Sequence, residues 1–335
     1  MVKLRSSHIL LATLALIVLM MGSLAVGPAS LSLSEFCNSL INQSGPEALI
    51  VLEIRLPRTV LAAATGFVLG LSGAALQILV RNPLAEPALI GAPQAAALGA
   101  VLSVTVFGAS AISLMAPVAA IALVSLNLVA VMWLAFRHPG SGTLLLAGLG
   151  AGTLSGAMVA LALSLSNNPY AIMEIVFWLM GSFEDRSWQH VSLAVPFMAV
   201  GTALVFFRKN GLDVLALGED VAGSLGLSIT QLLLWITGGV SLMVGACVAV
   251  SGAIGFIGLL APHLARALFR TPPSGILLPS ALLGAVLLLA SDIAVRLIPT
   301  QVELRVGVVT ALVGAPFFLY VLFKKWLPET VGELR

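Results

Sequence analysis

The side chains able to do chemistry are few, and they cluster where long apolar runs end. Arg55 and Arg58 flank Leu56-Pro57, Arg296 follows Asp292 by four positions, and Glu303 and Arg305 come soon after. Guanidinium groups grip carboxylates through a planar fork of N–H donors; they bind and orient but do not cleave. Two readings stand side by side. Local ion pairs and interfacial anchors would each contribute ~0–1 kcal/mol if exposed, whereas a set of cationic posts would orient an acidic partner and speed its encounter. A second group runs from Asp213 through Leu217-Gly218-Glu219-Asp220-Val221-Ala222-Gly223-Ser224-Leu225-Gly226. Its acids suit a helix N-terminus, Gly226 suits a C-cap, and its leucines are too apolar for a solvated loop. Two short surface helices and a docking surface are expected there. A third runs from Gly252 to Arg266 and holds Pro262-His263. A lone histidine is ordinarily structural, and Pro262 would kink or end its helix. Cys37 and Cys247 lie in no CxxC or Cys/His cluster, so neither a metal site nor a disulfide is expected. There is no GxxxxGK[ST] phosphate loop. No catalytic residue, metal ligand or cofactor site is assigned.

The elements that must carry these groups follow from composition. Of 335 residues, 59% are apolar and only 9% are Asp, Glu, Lys or Arg, against about 25% charged in a soluble domain. So few polar side chains cannot coat a water-exposed globule, so the solvent is lipid. Lipid leaves helices or closed barrels as the only spanning structures. A barrel would show ~10-residue stretches of alternating polarity, and this chain shows unbroken apolar runs. The expected fold is all-α and polytopic, one transmembrane domain over residues 1–335. Ten spans are expected, near 9–29, 59–80, 91–108, 112–136, 143–165, 191–207, 231–251, 254–269, 276–291 and 306–323. Residues 170–190 are expected to form an interfacial or re-entrant helix at the outer surface. The interior loop is placed at about 208–231. Ser23-Leu24-Ala25 has the look of a cleavage site, but the uncharged run Ile9–Ala29 is long enough to cross the membrane and is read as an uncleaved first helix.

With a cytoplasmic N-terminus, only Arg55, Arg58, Arg186, Arg296 and Arg305 of the sixteen Lys and Arg fall outside; the rest, including Arg270 and Arg335, fall inside. The opposite orientation would break the positive-inside rule, so both termini are placed in the cytoplasm. Small residues recur every fourth position at Gly66 and Gly70 and at Gly148, Gly152 and Gly156. They are read as close helix packing, with a glycine-lined pathway as the alternative. The spans hold essentially no ionisable group at mid-depth, where an ion-coupled carrier would need one. Energy is therefore expected from a different polypeptide. An ion-coupled secondary transporter and a membrane scaffold are the competing classes. The net charge of +2, with basic residues scattered, gives no footprint for nucleic acid.

Several ordered blocks resemble the FecCD family, the membrane subunits of ATP-binding-cassette importers for iron–siderophore chelates, haem and vitamin B12. They are Arg55-Leu56-Pro57-Arg58; Ser72-Gly73-Ala74-Ala75-Leu76-Gln77 running to Arg81-Asn82-Pro83-Leu84-Ala85-Glu86-Pro87 and Gly91; Trp178-Leu179-Met180-Gly181-Ser182; and Leu217-Gly218-Glu219 with Leu225-Gly226. Gly255-Phe256-Ile257-Gly258-Leu259 with Pro262-His263 and Arg266 follows, then Ser291-Asp292, Arg296, Glu303-Leu304 and the stretch to Phe317-Phe318. The resemblance spans about residues 50–323. It implies a second permease subunit, forming a homodimer around a central path. It also implies two ATPase subunits that bind the ATP, a periplasmic or lipid-anchored substrate-binding protein, and surrounding membrane lipid. By the same resemblance Arg55, Arg58 and Arg296 would meet acids on that binding protein. Leu217, Gly218, Glu219, Ala222, Leu225 and Gly226 would couple to the ATPase. A cytoplasmic gate would lie near Ser141, Gly142 and Thr143. The implied cargo is an iron–siderophore chelate first, with haem or vitamin B12 behind it. The chain departs from the pattern at Ala92-Pro93-Gln94, at Thr271-Pro272-Pro273-Ser274-Gly275, and at Arg305, which replaces a proline and is expected to pair with Glu303.

Overall fold

The computed structural model describes residues 2–27, 29, 31–42, 45–106, 114–137, 141–166, 168–269, 271–298, 300 and 303–326. Arg270 and Arg335, counted above among the inner charges, lie outside the described residues. The helices are α1 Val2–Ala25, α2 Leu33–Asn42, α3 Pro46–Leu49, α4 Leu56–Leu79, α5 Ala92–Thr105, α6 Met115–Arg137, α7 Ser141–Leu165, α8 Pro169–Leu179, α9 Trp188–Phe207, α10 Lys209–Leu215, α11 Glu219–Ser224, α12 Ile229–Ser251, α13 Ile257–Leu268, α14 Leu277–Leu297 and α15 Val306–Trp326; no strand occurs among the described residues. Seven of the described helices are long and apolar enough to cross a membrane, and three shorter apolar helices, α5, α13 and α15, complete the ten expected spans.

Two boundaries differ from expectation. α3, a π-helical stretch Ile50–Arg55 and α4 form one continuous helix, Pro46–Leu79. Arg55 and Arg58 are therefore helical residues, not part of a loop before the second span. α14 runs on to Leu297, past the expected end at 291, and carries Asp292 and Arg296 inside it. Charge read as a helix end is here charge buried within a helix, because each group finds a partner on a neighbour.

α13 has 12 residues, about 18 Å at 1.5 Å per residue, too short to cross hydrocarbon alone. The break between α12 and α13 is thus at membrane depth, where open backbone survives only if protein satisfies it. Ser182 N donates to the Ser251 carbonyl at 2.8 Å, and Gly252 N to Val248 at 2.9 Å. Gly252 turns with φ 69°, and a Cβ there would overlap the Trp178 carbonyl. The outer segment after α8 accordingly packs onto this break, with Gly181 at φ 77°. Pro262 neither ends nor breaks α13. Lacking an N–H, it leaves the carbonyl four residues back without its helical donor. That carbonyl, of Gly258, accepts instead from Gln77 Nε2 on α4 at 3.3 Å.

Small residues set the helix spacings. A Cβ on Gly66 or Gly70 would overlap α14 backbone at Gly284 and Ser280, and one on Gly73 would overlap the Gly258 carbonyl. Gly201 on α9 meets Gly239 on α12 in the same way. In α7 the glycines divide. Gly148 and Gly152 pack against Gly91, whereas Gly142, Gly150 and Gly156 face open space.

Substituting Gly70→Ala should force α4 from α14 and lower stability by about 1–3 kcal/mol. Gly22→Ala, with nothing within 4 Å, should leave the thermal midpoint in detergent unchanged. Equal midpoints for both variants would refute this packing.

Candidate functional site

At the outer end, Arg55, Arg58 and Arg296 are brought together and turned inward. Each has a distinct set of acceptors. Arg55 Nη1 donates to the carbonyls of Leu24 (2.9 Å) and Ala25 (2.8 Å), and Nη2 to that of Ala29. Arg296 Nη1 donates to the carbonyls of Ser23 (2.8 Å) and Val26 (2.9 Å). Carbonyls at a helix C-terminus have no donor of their own and carry the negative end of its dipole. Two guanidinium groups, from the π-helical turn before α4 and from α14, thus close the end of α1. Gly27 gives room for this, since a Cβ there would stand 2.8 Å from Arg55 Nε.

Asp292 holds the other two arginines. Its carboxylate accepts from Arg58 Nη2 (2.8 Å) and Nε (3.1 Å), and Arg296 Nη2 lies 2.9 Å away. The Asp292 side chain is fully buried and the Arg296 side chain is 2% exposed. Arg58 also binds Glu303, with Nη1 at 3.1 Å from Oε2 and a second contact from Nη2 to Oε1. Exposed ion pairs of small value are therefore the wrong description. This is a desolvated cluster joining α1, α4, α14 and the segment before α15. Contrary to expectation, Arg305 does not pair with Glu303; it reaches Glu184 and covers the Phe177 ring at 5.2 Å. Glu303 is already held by Arg58, and Glu184 is 121 positions from Arg305, a partner no local pattern could reveal.

At the inner end the loop forms α10 and α11 as expected. Gly218 (φ 112°) opens α11 and Gly226 (φ 81°) closes it. Leu217 and Leu225 are each 64% exposed, apolar side chains left uncovered by the described residues. Ala222 is fully buried, so it fixes α11 to the domain and cannot itself touch a docked partner. Glu219 lies 3.5 Å from Arg81. Asp213 anchors the loop's base, accepting from Ser274 N (2.7 Å) and Ser274 Oγ (2.6 Å). Between α4 and α5, burial pushes the Glu86 carboxyl above its usual range.

Ser141, Gly142 and Thr143 open α7. Gly142 is exposed and Thr143 half-buried. His263 meets the edge of Phe317 with ring centres 5.7 Å apart, a packing contact. Cys247 is buried. No His, Cys, Asp and Glu grouping able to hold a metal occurs among the described residues.

Replacing Asp292 with Asn leaves two guanidinium groups facing each other in a dry site. The loss should be about 3–5 kcal/mol, the range for breaking a buried pair from one side. The double change Asp292→Asn with Arg296→Gln should recover part of it. Denaturation in detergent measures both, and an Asn variant as stable as the parent would contradict the cluster's role.

The profile of the FecCD transport family matches residues 15–324. The chain is 38% identical over 274 residues to the cobalamin import system permease protein BtuC of Halobacterium salinarum, covering 82% of this chain and 73% of that one. It is 33% identical over 324 residues to the Fe(3+)-citrate import system permease protein YfmD of Bacillus subtilis, covering 94% of this chain and 95% of that one. Among solved structures, it superposes on an inward-facing metal-chelate-type ABC transporter with TM-score 0.85 and 30% identity, over 95% of this chain and 99% of the other. The chain belongs to the FecCD transport family and is a multi-pass protein of the inner membrane.

Proposed function

We propose that this chain is the membrane-spanning permease subunit of an ATP-binding-cassette importer for a bulky metal chelate. The observation that carries the reading is the family match across residues 15–324. The subunit is not itself an enzyme and needs no cofactor, because ATP is bound and hydrolysed by two separate ATPase subunits. A second permease subunit, most simply an identical copy, completes the translocation path. An external substrate-binding protein delivers the cargo, and Ser141, Gly142 and Thr143 lie at the inner gate.

The exposed pair Leu217 and Leu225 supports ATPase docking at α11, with Gly218, Gly226 and Ala222 shaping that helix and Glu219 at its N-terminus. Arg55, Arg58 and Arg296 serve docking of the binding protein indirectly. Their guanidinium groups are spent on internal acceptors in this state, so they fix the helix ends that the partner meets. A ferric siderophore chelate is the first reading of the cargo, with haem behind it. Cobalamin is the second, favoured by 38% identity to a cobalamin permease against 33% to a ferric citrate one.

Leu217→Asp with Leu225→Asp tests the coupling assignment. Both side chains are exposed, so the thermal midpoint should hold, while co-purification of the ATPase should fall at least ~10-fold, as for loss of a hot spot of about 1.4 kcal/mol or more. Undiminished ATPase binding by a folded double variant would overturn it.

A further inference from the structure

A cavity of about 540 Å³ opens at the inner face where the ends of α4, α13 and α14 meet the base of the docking loop. Its wall is apolar at Ile78, Phe269 and Ile276, and two guanidinium groups, Arg81 and Arg266, line it with Gln77. Phe269 and Ile276 are buried together against Ala265, so the wall is fixed by packing of α13 on α14.

The charge around this cavity is unbalanced. Arg266 is half-buried and has no carboxylate or hydrogen-bond acceptor among the described residues. A cation withdrawn from water without a counter-charge is costly. The nearby acids are engaged elsewhere. Asp213 is spent on Ser274, and Glu219 lies 3.5 Å from Arg81. Gln77 gives its Nε2 to the Gly258 carbonyl, but its buried Oε1 accepts nothing. Among the described residues Arg266 has no anion beside it, an apolar wall flanks both cations, and Gln77 Oε1 is a spare acceptor.

We propose that this cavity binds the phosphate headgroup of an anionic phospholipid of the inner leaflet. Guanidinium forks match phosphate oxygens, and basic pockets between helices at the cytoplasmic surface are suited to anionic headgroups. The apolar wall takes the start of an acyl chain, which a free phosphate does not need. Gln77 Oε1 accepts from a headgroup hydroxyl, as phosphatidylglycerol offers. Because Ala216 lines the same cavity next to Leu217, the headgroup braces the base of the docking loop. The inference does not rest on the importer reading, and its test needs no partner protein.

The test uses the full chain purified in neutral detergent, with thermal unfolding and native mass spectrometry as readouts. Phosphatidylglycerol should stay bound and raise the unfolding midpoint by several degrees; phosphatidylcholine and inorganic phosphate at equal concentration should not. Arg266→Gln should weaken phosphatidylglycerol binding at least tenfold. Should that variant not fold, Arg81→Gln, at a partly exposed side chain, should show the same loss. Arg137→Gln, at a cation held over Trp133, should retain binding. Full retention by Arg266→Gln or by Arg81→Gln overturns the site. Equal stabilisation by inorganic phosphate overturns the lipid as its source.

Discussion

Hydrocarbon offers no water to a buried charge or to a free backbone group, and the architecture follows from how each such group is answered within the chain. The sharpest case is Asp292. Fully buried, it stands between Arg58 and Arg296, and the arginines in turn need it, since either guanidinium left alone there would be a desolvated cation. The same shortage acts on the C-terminus of α1, whose carbonyls find donors in Arg55 and Arg296. One set of side chains therefore satisfies the acid, the cations and the helix end. It also ties the first helix to two others whose sequence positions lie far apart. The helix break at Gly252–Phe256 obeys the same rule, with the segment after α8 supplying the Ser182 donor.

The two faces of the protein differ in this respect. At the outer end Arg55, Arg58, Arg296 and Arg305 all have acceptors inside the chain. At the inner end the chain leaves Leu217 and Leu225 exposed, and Arg266 lacks an acceptor among the described residues. Apolar side chains without cover and cations without anions are what a surface built to receive other molecules presents. The contrast supports placing the drive for transport at the inner face.

Ten apolar segments are legible because lipid imposes apolarity on every one, although length is met by only seven of the described helices. The inner loop was legible because Gly218 and Gly226 punctuate it and its leucines fit no solvated loop. The outer cluster was half legible. Arg55, Arg58 and Arg296 stand out as types, but charge ordinarily marks a helix end, so the sequence places those ends at 59 and 291. What hid the truth was sequence distance: Asp292 answers Arg58 across 234 positions and Glu184 answers Arg305 across 121. A pattern of neighbours carries no trace of such pairs. Ala222 enters the coupling set through the family resemblance, and in a helix of six residues a small apolar side chain gives no signal of which way it faces. Pro262 was read as a breaker because nothing local announced that Gln77 would serve the carbonyl it leaves free.

The central claim is that the chain converts work done on its inner face into passage of cargo and harnesses no energy by itself. Reconstitution into sealed vesicles tests it most directly, with uptake of ferric chelate or cobalamin measured for the purified chain alone and together with its ATPase and binding protein. The account predicts no accumulation by the chain alone under a proton or sodium gradient, and ATP-dependent accumulation once the partners are present. Accumulation by the chain alone, driven by either gradient, would contradict it.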